Sequence, residues 1–395
     1  MSPISTRHRP NYTKTIKFAR SERVLFVVTE DWYFVSHRLQ LAVHLKSKGY
    51  DVAVATSTRN SEAIIAEGGI TLLPLRYMKR RNVNPFTAFM AIIELALIYR
   101  KFRPDIVHHV ALIPVIIGFF AAVLSGVRRR VNAIAGLGFV FTSDSLKARA
   151  VRIILLPLLA IALSGRHAVV VVQNQENLKA LRKLTHATKI FYQVSGAGVD
   201  IEKFRPPAHE PDEKSVVLVA RMIWSKGIGD FAEVARRFRE AGKACRFVLV
   251  GDIDLGNPAA VPSEKLEAWR QSGYLEWVGH KNDMPPILRK STIICLPSSY
   301  GEGVPKSLIE AAACGRPIVA YDVVGCREIV RDGKNGLLVS PNNIDLLEKA
   351  LASLLDDESK RLAMGKESRR IATGVFSNEK VFTAFEEIFR DVLRR

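Results

Sequence analysis

The chain has 395 residues, is 48% hydrophobic and 25% charged, and carries a formal net charge of +19. That composition excludes a disordered or collagen-like chain, and the length exceeds what one ordinary core serves, so two domains are expected. The four cysteines (Cys245, Cys295, Cys314, Cys326) form no CxxC pair, which excludes a disulfide framework and a zinc-finger spacing and suits a reducing cytoplasm.

In chain order, residues 1–20 are polar and basic and lack the apolar stretch of a signal peptide, so they read as a basic flexible tail. VLFVVT (24–29) is a buried-strand pattern, followed by a helical stretch ending near Gly49. DVAVAT (51–56), TLLPL (71–75), DIVHHV (105–110), RVNAI (130–134) and AVVVVQ (168–173) continue the strand series. After Pro206 and Pro207 it restarts with VVLVA (216–220), RFVLVG (246–251), LEWVG (275–279), IICLP (293–297) and PIVAY (317–321). Strands separated by helices predict parallel sheets with both faces covered. The expected fold is therefore α/β, with two doubly wound, Rossmann-like domains, over 21–200 and 201–375, facing a central cleft. A last helix, 376–395, is expected to pack back on the first domain. Ligands of such folds bind outside the carboxyl ends of the strands.

Charge is divided unevenly between the halves. Residues 1–200 hold 28 Lys+Arg against 11 Asp+Glu, whereas residues 201–395 hold 30 against 28. A basic first half points to an anionic partner: nucleic acid, an acidic membrane surface or a phosphorylated lipid. Two apolar stretches, 110–126 and 153–165, lie in the same half, the first followed by Arg128, Arg129 and Arg130. A membrane-spanning reading is open. Both stretches are short, contain a proline and occupy helix slots of the strand series, which favours core helices or helices lying in the membrane interface.

The chemistry is concentrated in SSYGEGVPKSLIEAAACGRPIVAYDVVGCREIVRDGKNGLLV (298–339). Gly301 and Gly303 permit a tight turn after a strand, Pro305 suits a helix start, and Gly315 suits its end. The helix N-terminus so formed is a diphosphate-binding element. Glu302 in the loop and Glu310 inside the helix are carboxylates suited to sugar or ribose hydroxyls. In VARMIWSKGIGDF (219–231), Arg221 ends a strand and Lys226 precedes the next helix, a pair of cations that makes a phosphate clamp. Asp252-Ile253-Asp254 has the Asp-x-Asp form of a metal motif, but its place after a strand reads as a loop.

Arg221 with Lys226, and Glu302 with Glu310, resemble the donor site of retaining GT-B glycosyltransferases of the family-four type. GKNGLLVSPNNIDLLEKAL (333–351) and the connector-like SGAGVDIEKFRP (195–206) resemble that family too. In the first half, TEDWYFVSHRLQLAVHLKSKGYDVAVAT (29–56), DIVHHVALIPVIIG (105–118), NAIAGLGFVFT (132–142) and VVVQNQENLKAL (170–181) resemble the branch that extends lipid-linked sugars in bacterial glycan pathways.

The resemblance implies that Arg221 and Lys226 hold the donor diphosphate and stabilise the leaving nucleoside diphosphate. It implies that Glu310 binds the ribose, that Glu302 contacts the donor sugar, and that Gly303, Val304, Pro305, Lys306 and Ser307 border sugar and phosphate. Gly136 and Gly138 would bring first-domain backbone to the donor, and His108 would be a cleft histidine. The sequence departs from the family at the pair His108–His109, followed by Val110, where histidines two apart are frequent. It departs again at Ile113, where relatives carry lysine.

The implied reaction retains anomeric configuration, uses a UDP-sugar and no metal or other cofactor, and acts on an undecaprenyl-diphosphate-linked glycan. The enzyme would be cytoplasmic, held peripherally at the inner face of the plasma membrane. Two other readings stay open at this point. A nucleotide-sugar 2-epimerase would share the architecture and the donors. A nucleic-acid-binding protein would explain the charge, but no zinc-finger spacing, RNA-recognition aromatic motif or basic-region helix is present, so no nucleic-acid partner is expected.

Overall fold

The computed structural model describes residues 21–80, 84–136, 146–165, 167–185, 189–255, 257–299 and 303–395. Seven strands form the first sheet: β1 (Arg23–Glu30), β2 (Asp51–Ser57), β3 (Thr71–Pro74), β4 (Ile106–Val110), β5 (Arg130–Ile134), β6 (Ala168–Val172) and β7 (Phe191–Gln193). Their order is β3-β2-β1-β4-β5-β6-β7, and every pairing is parallel. Six strands form the second: β8 (Ser215–Val219), β9 (Arg246–Val250), β10 (Glu276–Trp277), β11 (Ile293–Leu296), β12 (Ile318–Tyr321) and β13 (Gly336–Val339). Their order is β10-β9-β8-β11-β12-β13, again all parallel. In each sheet the order reverses beside the first strand, at β1/β4 and β8/β11, and a reversal of this kind leaves a crevice above the strand ends.

The continuous apolar runs become strands because both faces of each sheet are covered. β4, β5 and β6 are buried at every position. One face of the first sheet packs on Leu95, Ala96 and Tyr99 of the helix Pro85–Phe102. That helix starts with an Asn84–Thr87 capping box and a proline at its first position. The other face packs on Phe382, Phe385 and Phe389 of the final helix, Asn378–Arg394. This last helix is tied further to the first domain by a 2.5 Å contact between Glu386 and His44.

The chain therefore passes between the domains twice. The two passages run side by side: the Val199 N–H donates to the Phe376 carbonyl, and the Asn378 N–H donates to the Val199 carbonyl, both at 2.9 Å. A π-helical turn, Ala372–Phe376, precedes the second passage, a local irregularity of the kind that accompanies hinges.

Two strands have no counterpart in the sequence reading. β7 is three residues long and only half-buried, so it has no apolar run, and β13 is a four-residue strand directly after the turn at Gly333. The helix predicted after Pro305 spans Lys306–Ala313, with Pro305 in the capping position just before it rather than inside it.

Candidate active site

The site forms where the two sets of strand ends face each other. On the first-domain side, β1 leads directly into a short helix, Asp31–His37. The buried Asp31 carboxylate accepts from the backbone N–H groups of Arg59, Asn60 and Ser61 at 2.7–3.2 Å, which locks the helix start to the loop after β2. The helix presents Trp32, Tyr33, Ser36 and His37 to the second domain. Tyr33 and His37 are stacked, with ring centroids 4.1 Å apart.

On the second-domain side, the helix Lys306–Ala313 follows β11 and has no side chain capping its N-terminus. Val304 and Pro305 are buried, while Lys306 and Ser307 are half-buried. Lys306 Nζ donates to the Ser36 carbonyl at 2.5 Å and lies 3.3 Å from Glu310 Oε1. It thus connects the donor-side carboxylate to the opposite domain. Glu310 sits almost wholly inside, and burial raises its pKa, a shift that Lys306 and then Lys203 oppose.

Arg221 and Lys226 meet the same short helix. The Arg221 guanidinium lies 5.8 Å from the Trp32 ring centroid. Burial holds His37 well below the ordinary histidine range, and the Lys306, Arg38 and Lys226 cations push it the same way. Burial raises Tyr33, with Arg38 and Arg221 pulling it back. The fold thus gathers Arg221, Lys226, Lys306 and, through Lys306, Glu310 around one element. Its arrangement is an electropositive mouth at an uncapped helix N-terminus, able to receive an anion.

Gly303 lies at a close approach of the two domains. A Cβ there would lie 2.1 Å from Gln173 Oε1 and 2.3 Å from the Ala135 carbonyl, so no side chain fits. The Val304 N–H beside it donates to Gln173 Oε1 at 3.0 Å. Gly136, next to Ala135, borders this contact. Glu302 and Gly138 lie outside the described residues.

His108 is placed differently from the sequence expectation. Its ring is fully buried and packs edge-on against Phe26, Phe385 and Phe389 at 5.1–5.6 Å, beneath the final helix rather than in the cleft. Nδ1 meets the Val131 carbonyl at 3.2 Å, and Nε2 has no hydrogen-bond partner. Burial holds it well below the usual histidine range. His109 points to the opposite face, between Asn132 Oδ1 and the Tyr99 hydroxyl at 2.8 Å each. Consecutive strand residues face opposite sides, and here both sides are core. His108 is therefore a core side chain, and its assignment to the cleft is withdrawn.

Several cleft residues escaped the sequence reading: Trp32, Tyr33, His37, Gln173, Arg80 and Asp254. The first three had a usable signal, since they follow directly on a strand predicted to end at the cleft. Asp254, in the Asp-x-Asp segment, binds Arg221 and lies 3.3 Å from Arg80, while Asp252 accepts from the His280 N–H at 2.9 Å. Among the described residues no group of three or more His, Cys, Asp or Glu side chains is arranged to hold a metal ion.

Two facing parallel-sheet domains with this site define a glycosyltransferase of GT-B fold. The Glycosyl transferase 4-like family matches residues 23–174 and the Glycosyl transferases group 1 family matches residues 199–371, and the chain belongs to the glycosyltransferases built from this pair of domains. It is 26% identical to the N,N'-diacetylbacillosaminyl-diphospho-undecaprenol alpha-1,3-N-acetylgalactosaminyltransferase of Campylobacter jejuni, over 90% of this chain and 96% of that one. It is 27% identical to the UDP-Gal:alpha-D-GlcNAc-diphosphoundecaprenol alpha-1,3-galactosyltransferase of Escherichia coli, over 79% and 82%. Among solved structures, Anabaena HepE in complex with UDP superposes with a TM-score of 0.76 at 15% identity, covering 93% of this chain and 100% of that one. Sucrose-phosphate synthase from Thermosynechococcus elongatus gives 0.78 at 17%, covering 94% and 99%. At these identities the superpositions speak for the fold.

Proposed function

We propose that the protein transfers a hexose or N-acetylhexosamine from a UDP-sugar to a lipid-diphosphate-linked sugar, with retention of configuration, in bacterial glycan assembly. The observation that carries this reading is the gathering of Arg221, Lys226 and Lys306 around the short helix Asp31–His37, with Lys306 opening the uncapped Lys306–Ala313 helix and Glu310 one turn inside it. Cleaving a sugar from a diphosphate builds negative charge on the leaving oxygen. Fixed cations and a helix N-terminus stabilise that charge without reorganising. The task needs no metal, because the cations already present supply the positive potential.

Glu310 would take the ribose hydroxyls, and the backbone of Gly303, Val304, Pro305 and Ser307 would border sugar and phosphate. Glu302 would contact the donor sugar, and Gly136 and Gly138 would bring first-domain backbone to the donor. With His108 in the core, no first-domain nucleophile is assigned. The leaving phosphate would assist deprotonation of the acceptor hydroxyl on the same face of the sugar, and closure over the two passages at Val199 and Phe376 would exclude water.

The acceptor assignment rests on likeness along most of the chain to the two relatives named for undecaprenyl-diphosphate acceptors. It is supported by the surface of the first domain. Three neighbouring helices, Pro85–Phe102, Leu112–Ser125 and Leu146–Leu163, expose Phe86, Phe89, Leu97, Val123, Ile153 and Ile154. Arg100, Arg128, Arg149 and Arg152 belong to the same region. No described helix is long and apolar enough to cross a membrane. Apolar side chains beside cations suit a helix layer lying in an anionic lipid interface at the cytoplasmic leaflet.

The test is a screen of UDP-sugars against undecaprenyl-diphosphate-linked acceptors, detecting the lipid-linked product. Epimerised sugar formed from donor alone, without acceptor, would overturn the transferase reading in favour of an isomerase.

A further inference from the structure

The loop after β9 is fastened to the segment that carries Arg221. Gly251 allows this, because a Cβ there would lie 1.9 Å from the Ala220 carbonyl. Beyond it, the Met222 N–H donates to the Asp252 carbonyl at 2.9 Å, the Val261 N–H to the Met222 carbonyl at 3.0 Å, and the Trp224 N–H to the Ala259 carbonyl at 2.8 Å. The loop is thus a second wall along 221–224, and Asp254 stands at its turn.

The Asp254 carboxylate is nearly enclosed, with 12% of its side chain exposed. It accepts from Asn257 Nδ2 at 2.8 Å, which fixes its orientation within the loop. It binds Arg221 of its own domain, and Arg80 of the opposite domain reaches it at 3.3 Å. Both arginines keep 35% of their side chains exposed. Two guanidinium groups from two domains therefore share one carboxylate at the cleft. The pairing brings a first-domain cation beside the second-domain cation expected to meet the diphosphate. A shared counter-ion also removes the repulsion that would otherwise keep two cations apart.

We propose that Asp254 is a positioning residue that sets Arg221 for the donor and draws Arg80 across the cleft as a second cation, supplied by the first domain, for the donor diphosphate. The proposal rests on the donor reading above. It adds that the phosphate clamp is completed only when the domains meet, so that donor binding and closure are coupled through one ion triad.

The experiment uses the full-length protein and two probes, UDP and uridine, titrated calorimetrically, together with donor kinetics. Arg80→Ala is expected to weaken UDP about tenfold while leaving uridine affinity unchanged, since only the phosphates meet the triad. Asp254→Asn is expected to raise the donor KM about tenfold with a smaller change in kcat, and Arg80→Lys to restore part of the loss. The double variant is expected to be little worse than the worse single one, because the three charges act as a unit. Unchanged UDP affinity in both single variants would overturn the triad while leaving the donor reading intact. Equal weakening of UDP and uridine would also overturn it, by reducing Asp254 to a structural loop anchor. A wild-type protein that binds no nucleoside diphosphate would overturn the donor reading, and the triad with it.

Discussion

The two halves of the molecule share one architecture and use charge in opposite ways. The first domain belongs to the half in which cations outnumber anions by seventeen, and it turns Phe86, Phe89, Ile153 and Ile154 outward. The second domain is nearly neutral, yet most of the cations assigned to the donor are its own: Arg221, Lys226 and Lys306. Its remaining arginines are largely matched, as in Arg237 with Glu233, Asp345 and Glu348, or the bidentate contact of Arg246 with Glu276. The difference teaches that net charge is a poor guide to where a phosphate is bound for chemistry. Catalytic electrostatics needs a few cations in fixed places, whereas attraction to an extended surface needs an unmatched excess.

That contrast is broken most severely at Glu310. Glu310→Ala is expected to lower transfer about a hundredfold while the protein stays folded, checked by donor turnover alongside circular dichroism. Wild-type turnover would remove the donor site from the second domain. Arg221→Ala comes next, with a loss of roughly ten- to hundredfold in kcat/KM, the worth of one charge-assisted contact of about 1.5–3 kcal/mol.

The first domain is tested by a change that should leave chemistry alone. Replacing Phe86, Phe89, Ile153 and Ile154 with serine is expected to reduce co-sedimentation with anionic phospholipid vesicles about tenfold, while turnover on a water-soluble acceptor is kept. Loss of turnover with unchanged vesicle binding would reverse the assignment.

The smallest effect concerns three histidines that the fold holds neutral. His37 and His108 are held well below, and His109 at about 4 against an ordinary 6.5, burial being the leading cause in each. The unfolded chain therefore binds more protons than the folded one as pH falls below 6.5. Stability from these neutral rings is complete above that pH and is lost on acidification, for His109 as the pH falls toward about 4. His108→Leu is expected to leave kcat unchanged at neutral pH and to flatten the fall of Tm with acid. A large loss of kcat in this variant would return His108 to the reaction.

The sequence made the sheets legible wherever burial wrote a continuous apolar run, as in β1 and β6. It left β7 and β13 dark, because runs of only three or four residues carry no readable period. The donor segment was legible for a local reason: a strand, a glycine turn, a proline and a helix follow one another within about twenty residues, and chain neighbours fix their geometry. His108 was misjudged for a non-local one. A strand tells which residues face opposite ways, but the cover on His108 comes from Phe385 and Phe389, far along the chain. Asp254 and Arg80 escaped for the same reason, since their meeting depends on how two domains approach.

The closing helix Asn378–Arg394 has a consequence for how the protein is made. Its phenylalanines complete the core under β1 and β4, so the domain that leaves the ribosome first stays unfinished until residues 378–394 are synthesised. Until then, Phe26 and its neighbours form an uncovered apolar face, and such faces attract chaperones or aggregate. A chain cut short before residue 378 is expected to fail in its first domain rather than its last.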